Sequence, residues 1–169
     1  KLARHLHSNQ VSMGWVLARF VDMSPADCTL SGLPLFHVNA VHVSGLAPFM
    51  AGAHVVLASP AGYRNPAVIQ NFWRLVERFR VTMFSTVPTV CTALMQVPVA
   101  GADLSSLRFA VVGAAPLPVE VIRNFEALTG IRILEGYGLT EGTCASAVNP
   151  AFGQPVAGSV GIRFPYQDM

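Results

Sequence analysis

Apolar positions along the chain change period repeatedly. Over 9–20 they recur at helical spacing, with Val11, Trp15 and Ala18 on one side, and Ser24-Pro25 closes the segment. Residues 28–33 form a short apolar run, as in a buried strand, stopped by Pro34. A helix is predicted over 40–50, weakened by Gly45 and Pro48, followed by a buried strand over 53–58 (AHVVLA). Pro66 suits a first helical position. Val68, Phe72, Leu75, Val76 and Phe79 then share a face, with Arg74, Glu77 and Arg78 elsewhere. A strand over 81–85, a helix from Pro88 to about residue 96 and a loop over 97–106 complete the first two thirds. A strand over 108–112 runs into Gly113-Ala114-Ala115. A helix starting near Pro118 buries Val121, Phe125 and Leu128 and stops at Gly130. Strands are predicted over 131–134, leading into Gly136-Tyr137-Gly138, and over 144–148.

Strands alternating with helices predict an α/β fold, a largely parallel sheet flanked by helices. Ligands of such sheets sit outside the carboxyl ends of the strands, so loops 34–39, 85–88, 113–116 and 135–143 are where chemistry is expected. No internal repeat or low-complexity tract is visible.

Composition adds constraints. The chain is 52% hydrophobic and 12% charged, with a mean hydropathy of +0.48, against about 25% charged residues in an ordinary soluble domain. Part of its surface is therefore expected to meet a neighbour, the remainder of its own chain. Lys1 follows no initiator Met and Asp168-Met169 no terminal cap, so both ends read as cuts. The net charge of +2, from 11 basic and 9 acidic residues without a basic run, speaks against nucleic acid as partner. Cys28, Cys91 and Cys144 form no CxxC pair and read as buried thiols of a reducing, cytoplasmic compartment. His5, His7, His42 and His54 lack metal-ligand spacing. The hydropathic stretch 41–57 is interrupted by His42, Pro48, Gly52 and His54, which argues against a transmembrane segment.

The run Glu135-Gly136-Tyr137-Gly138-Leu139-Thr140-Glu141-Gly142-Thr143 combines flexible glycines, a flat aromatic, a hydroxyl and a carboxylate beside a strand. Glycines let backbone approach a planar ligand, Tyr137 offers a stacking face, Thr140 can donate to a phosphate oxygen and Glu141 can hold Mg²⁺. A polar turn with Thr140 as a helix cap explains the same residues.

GYGLTEGT resembles the YG-x-TE signature of the adenylate-forming superfamily, which includes acyl-CoA synthetases, luciferases and peptide-synthetase adenylation domains. KLARHLHSN (1–9), LPLFHV (33–38) and VVGAAPLP (111–118) match in the same order. Lys1 takes the place of the Pro-Lys that closes the phosphate loop, and GSVGIRFP (158–165) resembles the stretch before the ribose-binding aspartate and the C-terminal domain. The resemblance implies that residues 1–169 are one internal piece of the large N-terminal AMP-binding domain. The phosphate loop and the lysine-bearing C-terminal domain would then lie outside it, and the piece alone would be inactive.

The resemblance also assigns roles. Gly113, Ala114 and Ala115 would line the adenine and acyl pocket. Glu135, Gly136 and Tyr137 would hold the adenine, with Gly138 in the same nucleotide-binding stretch. Thr140 would contact the α-phosphate, Glu141 would bind Mg²⁺, and His37 would gate the acyl carboxylate. His37 taken by itself reads as a packing residue. The implied reaction is attack of a carboxylic acid on the α-phosphate of ATP, followed by transfer of the acyl group to CoA. Amino-acid-activating members carry an aspartate in the segment equivalent to 36–39, whereas Phe36-His37-Val38-Asn39 offers no anion. An acid without an α-amino group is thus expected, with Val38, Val41, Val87 and Leu139 near an apolar tail, aliphatic or aromatic. A carrier-protein acceptor, or a non-catalytic nucleotide-binding module, remains the alternative reading.

Overall fold

The computed structural model describes residues 2–99 and 101–168. Elements follow in chain order: α1 (His7–Phe20), β1 (Cys28–Ser31), α2 (Val38–Val41), a π-helical turn (His42–Leu46), α3 (Ala47–Ala51) and β2 (His54–Leu57). Then come α4 (Pro66–Gln70), α5 (Phe72–Phe79), β3 (Met83–Thr86), α6 (Pro88–Leu94), β4 (Phe109–Val112), α7 (Val119–Thr129), β5 (Arg132–Gly138), β6 (Ala145–Val148) and β7 (Ile162–Arg163).

The seven strands form one sheet in the order β2-β1-β3-β4-β5-β6-β7. The first five run parallel, and β6 and β7 continue it antiparallel. This is the largely parallel α/β sheet expected from the alternation. Chain direction across the sheet reverses between β1 and β3, and the loops at the carboxyl ends of these two strands diverge there and leave a crevice.

Two apolar layers cover the sheet. Helices α4 to α7 pack on one face through Phe72, Trp73, Val76, Cys91, Leu94 and Phe125. Helix α1 and the α2–π–α3 segment cover the other with Met13, Leu17, Val21 and Val43, facing Met83, Phe109 and Val111 of the sheet. Fully burying side chains of this size contributes about 1.5–3 kcal/mol each. At the amino ends of the strands Asp27 accepts hydrogen bonds from the Ser24 N–H, the Thr82 hydroxyl and Arg108, with an Arg108 Nη1 to Asp27 Oδ1 distance of 2.8 Å.

Several sequence expectations are corrected. In α1 the buried face is Met13, Val16, Leu17 and Ala18, while Val11 and Trp15 (49% exposed) face outward. The reason is Gly14: a Cβ there would lie 3.0 Å from Met50 and 3.1 Å from Leu46, so this bare position lets α3 and the π turn press close. The helix predicted over 40–50 runs from 38 to 51, and Gly45 and Pro48 do not break it. The widened turn supplies an i→i−5 bond from the Ala47 N–H to the His42 carbonyl, just ahead of Pro48, which has no N–H to give. Strand β2 is an edge strand with His54 and Leu57 exposed, not a buried one. The helix through 66–79 is two helices divided at Asn71, and Phe79 is exposed with Arg78 over its ring. In α7 Ile122 and Phe125 are buried, whereas Val121 is half-buried and Leu128 exposed. Strand β5 continues through Gly138, placing both glycines inside it, and β7 was not anticipated. Among the described residues no helix is long and apolar enough to cross a membrane.

Candidate functional site

A cavity of about 230 Å³ opens where the carboxyl ends of the parallel strands meet the α1 face of the sheet. Three of the four loops singled out in the sequence reach it: His37, Val38 and Asn39 after β1, Gly113 and Ala114 after β4, and Gly136 through Thr140 along β5 and beyond. Segment 85–88 does not line it. Its Ser85 hydroxyl instead donates to Asn39 Oδ1 at 2.8 Å, bridging β3 to the loop after β1 at the switch point. With Oδ1 so engaged, the Asn39 NH₂ group is left as a donor at the cavity mouth.

His37 is exposed and caps α2, its Nδ1 accepting the Asn39 N–H at 3.2 Å. In the neutral ring this places the proton on Nε2, which can donate to an anion. Ala114 holds φ at +72°, an uncommon conformation for a residue with a Cβ. Next to it Gly113 packs so closely that a Cβ would stand 3.3 Å from the Gly136 carbonyl. Ala115 is exposed and does not line the cavity.

The β5 end carries most of the sequence-predicted residues. Tyr137 is about half exposed and borders both this cavity and a second, polar cleft. Gly138 falls where the register with β6 shifts, and a Cβ there would overlap the Cys144 carbonyl. Only glycine fits this crossing. Glu135 is buried, and its carboxylate accepts the Gly158 N–H at 2.6 Å, which ties the 150s loop to the sheet. Leu139 leads into a short 3₁₀ turn, Thr140–Gly142, and Thr143 closes it at φ +79°. Thr140 lines the apolar cavity, while Glu141 is exposed in the polar cleft with Arg4, Asn9 and Ser12.

Sequence reasoning missed His5. Gln10 donates to its Nδ1 at 3.1 Å, leaving the ring proton on Nε2, which donates to the Thr140 carbonyl at 2.5 Å. It missed Met83, Val111 and Phe164 as cavity walls as well. Of the four apolar residues expected near a tail, Val38 and Leu139 line the cavity, and Val41 and Val87 do not. His42 is buried as a packing residue, its Nδ1 donating to the Val38 carbonyl at 2.9 Å; burial lowers its pKa, only partly opposed by that bond. Cys144 also borders the cavity, and burial pushes its thiol up to about 12, so it stays protonated. All three cysteines are free and buried. Lys1 lies outside the described residues.

For Mg²⁺ the donor chemistry fits in a limited way. The described residues hold no cluster of three His, Cys, Asp or Glu side chains, so an all-protein cage is absent among them. The polar cleft carries two exposed carboxylates, Glu141 and Asp168, which matches the habit of Mg²⁺ to bind one or two carboxylates together with substrate phosphates.

A largely parallel sheet with a cavity at the carboxyl ends of its strands, walled by close-packed glycine backbone and flanked by a polar cleft that carries Glu141 and Asp168, has the layout of a ligand-binding α/β protein. The chain belongs to the AMP-binding enzyme family, whose model matches residues 1–169. It is 41% identical over 172 residues to the marinolic acid–CoA ligase of Pseudoalteromonas sp., covering 99% of this chain and 26% of that protein. Its fold superposes on ATP-bound MatB from Rhodopseudomonas palustris with a TM-score of 0.83 at 29% identity, over 96% of this chain and 31% of the other. The anthranilate CoA ligase AuaEII in complex with anthranoyl-AMP gives a TM-score of 0.85 at 26% identity, with the same coverage. The chain thus spans between a quarter and a third of the length of these proteins.

Proposed function

We infer that the full-length protein carrying this chain is a carboxylate–CoA ligase that adenylates an acid with ATP and passes the acyl group to CoA. The observation that supports it most is the division of the site. An apolar cavity with donors at its mouth adjoins a polar cleft that contains Glu141, and Tyr137 and Leu139 border both. An acyl group and a polyphosphate would occupy such neighbouring compartments with the reacting carboxylate between them.

In this reading His37 Nε2–H and the Asn39 amide donate to the acid's carboxylate and hold one oxygen toward the α-phosphate. Tyr137 and the flat backbone of Gly136–Gly138 face the adenine, and the Thr140 hydroxyl donates to the α-phosphate. Glu141 would hold Mg²⁺, which offsets phosphate charge when bound. The chain's own contribution is positioning and preorganised donors, the effects that dominate phosphoryl-type transfers. His5 fixes the Thr140 backbone and so acts as a positioning residue. The buried Glu135 contributes through its bond to the Gly158 loop.

The test is pyrophosphate release by the full-length protein with ATP over a panel of carboxylic acids, followed by thioester formation with CoA. Acid-dependent release is expected. His37→Ala should raise KM for the acid severalfold and leave nucleotide affinity nearly unchanged, since the side chain sits at the cavity mouth. Equal pyrophosphate release with and without every acid would refute the function, and a loss confined to nucleotide affinity would refute the role of His37.

A further inference from the structure

The cavity sorts its lining by polarity along its depth. Strands β3 and β4 lie in register with Met83 beside Phe109 and Ser85 beside Val111. Going down from the carboxyl ends, Gly113 and Ala114 stand at the mouth, Val111 lies below, and Met83, the first residue of β3, is deepest. Four residues separate the level of Gly113 from that of Met83, or about 13 Å at roughly 3.3 Å per residue. Leu17 of α1 and Val21 just after it form the opposite wall with Val43 of the π turn. Phe164 closes the side, held by an edge-on contact with Phe20 at 4.7 Å.

Polar side chains occur only near the top: His37, Asn39, Thr140 and the Tyr137 hydroxyl. Apart from the Cys144 thiol, the lining below is hydrocarbon, thioether and aromatic, and no lining residue is Asp, Glu, Lys or Arg. A second charge on the acid would be stripped of water in this wall with nothing to pair with. The volume of about 230 Å³ also lies below the roughly 300–1,000 Å³ of most ligand pockets, so the tail it accepts is short. Met83 is 1% exposed and stands across the deep end, where its side chain limits how far a tail can reach.

Resting on the acid-activating reading above, we propose that the substrate is a monocarboxylic acid with an uncharged, apolar tail lying along β3 and β4, and that Met83 determines the length of that tail. Acids with a second charge at the far end of the tail, dicarboxylic or sulfonated, are rejected for want of a counter-charge. Longer apolar acids are rejected because Met83 occupies their terminal carbons.

The experiment measures pyrophosphate release by the full-length protein with straight-chain monocarboxylic acids of increasing length and with the α,ω-diacid of each length. Each monoacid is expected to exceed its diacid in kcat/KM by on the order of 10²-fold. Met83→Ala should raise the ratio of kcat/KM for longer over shorter acids by about tenfold per added methylene accommodated. Should that variant fold poorly, Val111→Leu fills the same channel from the neighbouring strand and shifts the preference toward shorter acids. Binding of the acids to each variant, followed by calorimetry without ATP, should move in parallel. Diacids used as well as monoacids would overturn the proposed tail chemistry while leaving adenylation intact. An unchanged length preference in both variants would overturn the role of Met83. Absence of acid-dependent pyrophosphate release throughout would instead defeat the ligase reading, and this inference with it.

Discussion

At single residues, the side chains that carry chemistry and those that carry structure interleave within a few positions of β5. Glu141 is exposed and makes no ion pair among the described residues. Glu141→Gln should therefore shift stability by no more than about 0.5 kcal/mol, as at ordinary surface sites. If it holds the metal, adenylation by the full-length protein should fall by on the order of 10²-fold, as on losing one preorganised electrostatic contact. A melting curve beside a rate measured over a Mg²⁺ titration separates the two, and a wild-type rate with unaltered Mg²⁺ dependence would exclude the metal role. Gly138, three residues earlier, has the opposite profile. A methyl group there would overlap the Cys144 carbonyl, so Gly138→Ala must push β5 and β6 apart and should cost more than about 2 kcal/mol. Denaturant unfolding would show it, and an unchanged midpoint would mean that the bulge relaxes freely. Both residues stood out in the sequence as members of GYGLTEGT. Only the crossing of Gly138 with Cys144, brought together by the β5–β6 turn, tells their tasks apart.

Among the elements, the strands at the middle of the sheet are tied together at their amino ends by Asp27. Its side chain is 5% exposed. Burial pushes its carboxyl up, but the Thr82 hydroxyl, the Ser24 N–H and Arg108 outweigh that and hold its pKa below the ordinary value. The folded state thus favours the ionised form. The stabilisation is fully present above the pKa of the unfolded chain and is lost as pH falls through the lowered folded value. Asp27→Asn should destabilise by about 2 kcal/mol at neutral pH, a figure reduced because Arg108 is partly solvated. The difference from wild type should shrink in acid, and a pH-independent difference would assign the effect to packing alone. The sequence offered no sign of this cluster, because Thr82 and Arg108 lie 55 and 81 residues from Asp27. Helix α1 was misread for a related reason. Periodicity counts apolar side chains, and its closest contact is made by Gly14, which has none.

Across the whole molecule, the three-layer core is complete but the surface is unusually apolar. Phe36, Phe49, Phe152 and Tyr166 are 62–87% exposed, and Trp15 stands 6.4 Å from Tyr166 on the outside of α1. Exposed apolar rings that join into a patch mark contact surfaces. The 169-residue chain expressed alone should bind an apolar dye and self-associate as concentration rises. Sedimentation velocity checks this, and a dye-silent monomer would show that the exposed rings are scattered rather than joined. The sequence by itself determined the α/β class, the parallel strands and the loops that reach the cavity, because local periodicity, Pro and Gly punctuation and the motif around Tyr137 are written in neighbouring residues. Tertiary structure alone decided which face of α1 is buried, that β2 lies at the edge and that Thr140 and Glu141 point into different compartments. It also decided that His5 supports Thr140 and that Met83 ends the cavity. Each of these depends on strand order and on backbone approach between segments far apart in the chain, quantities that no local pattern encodes.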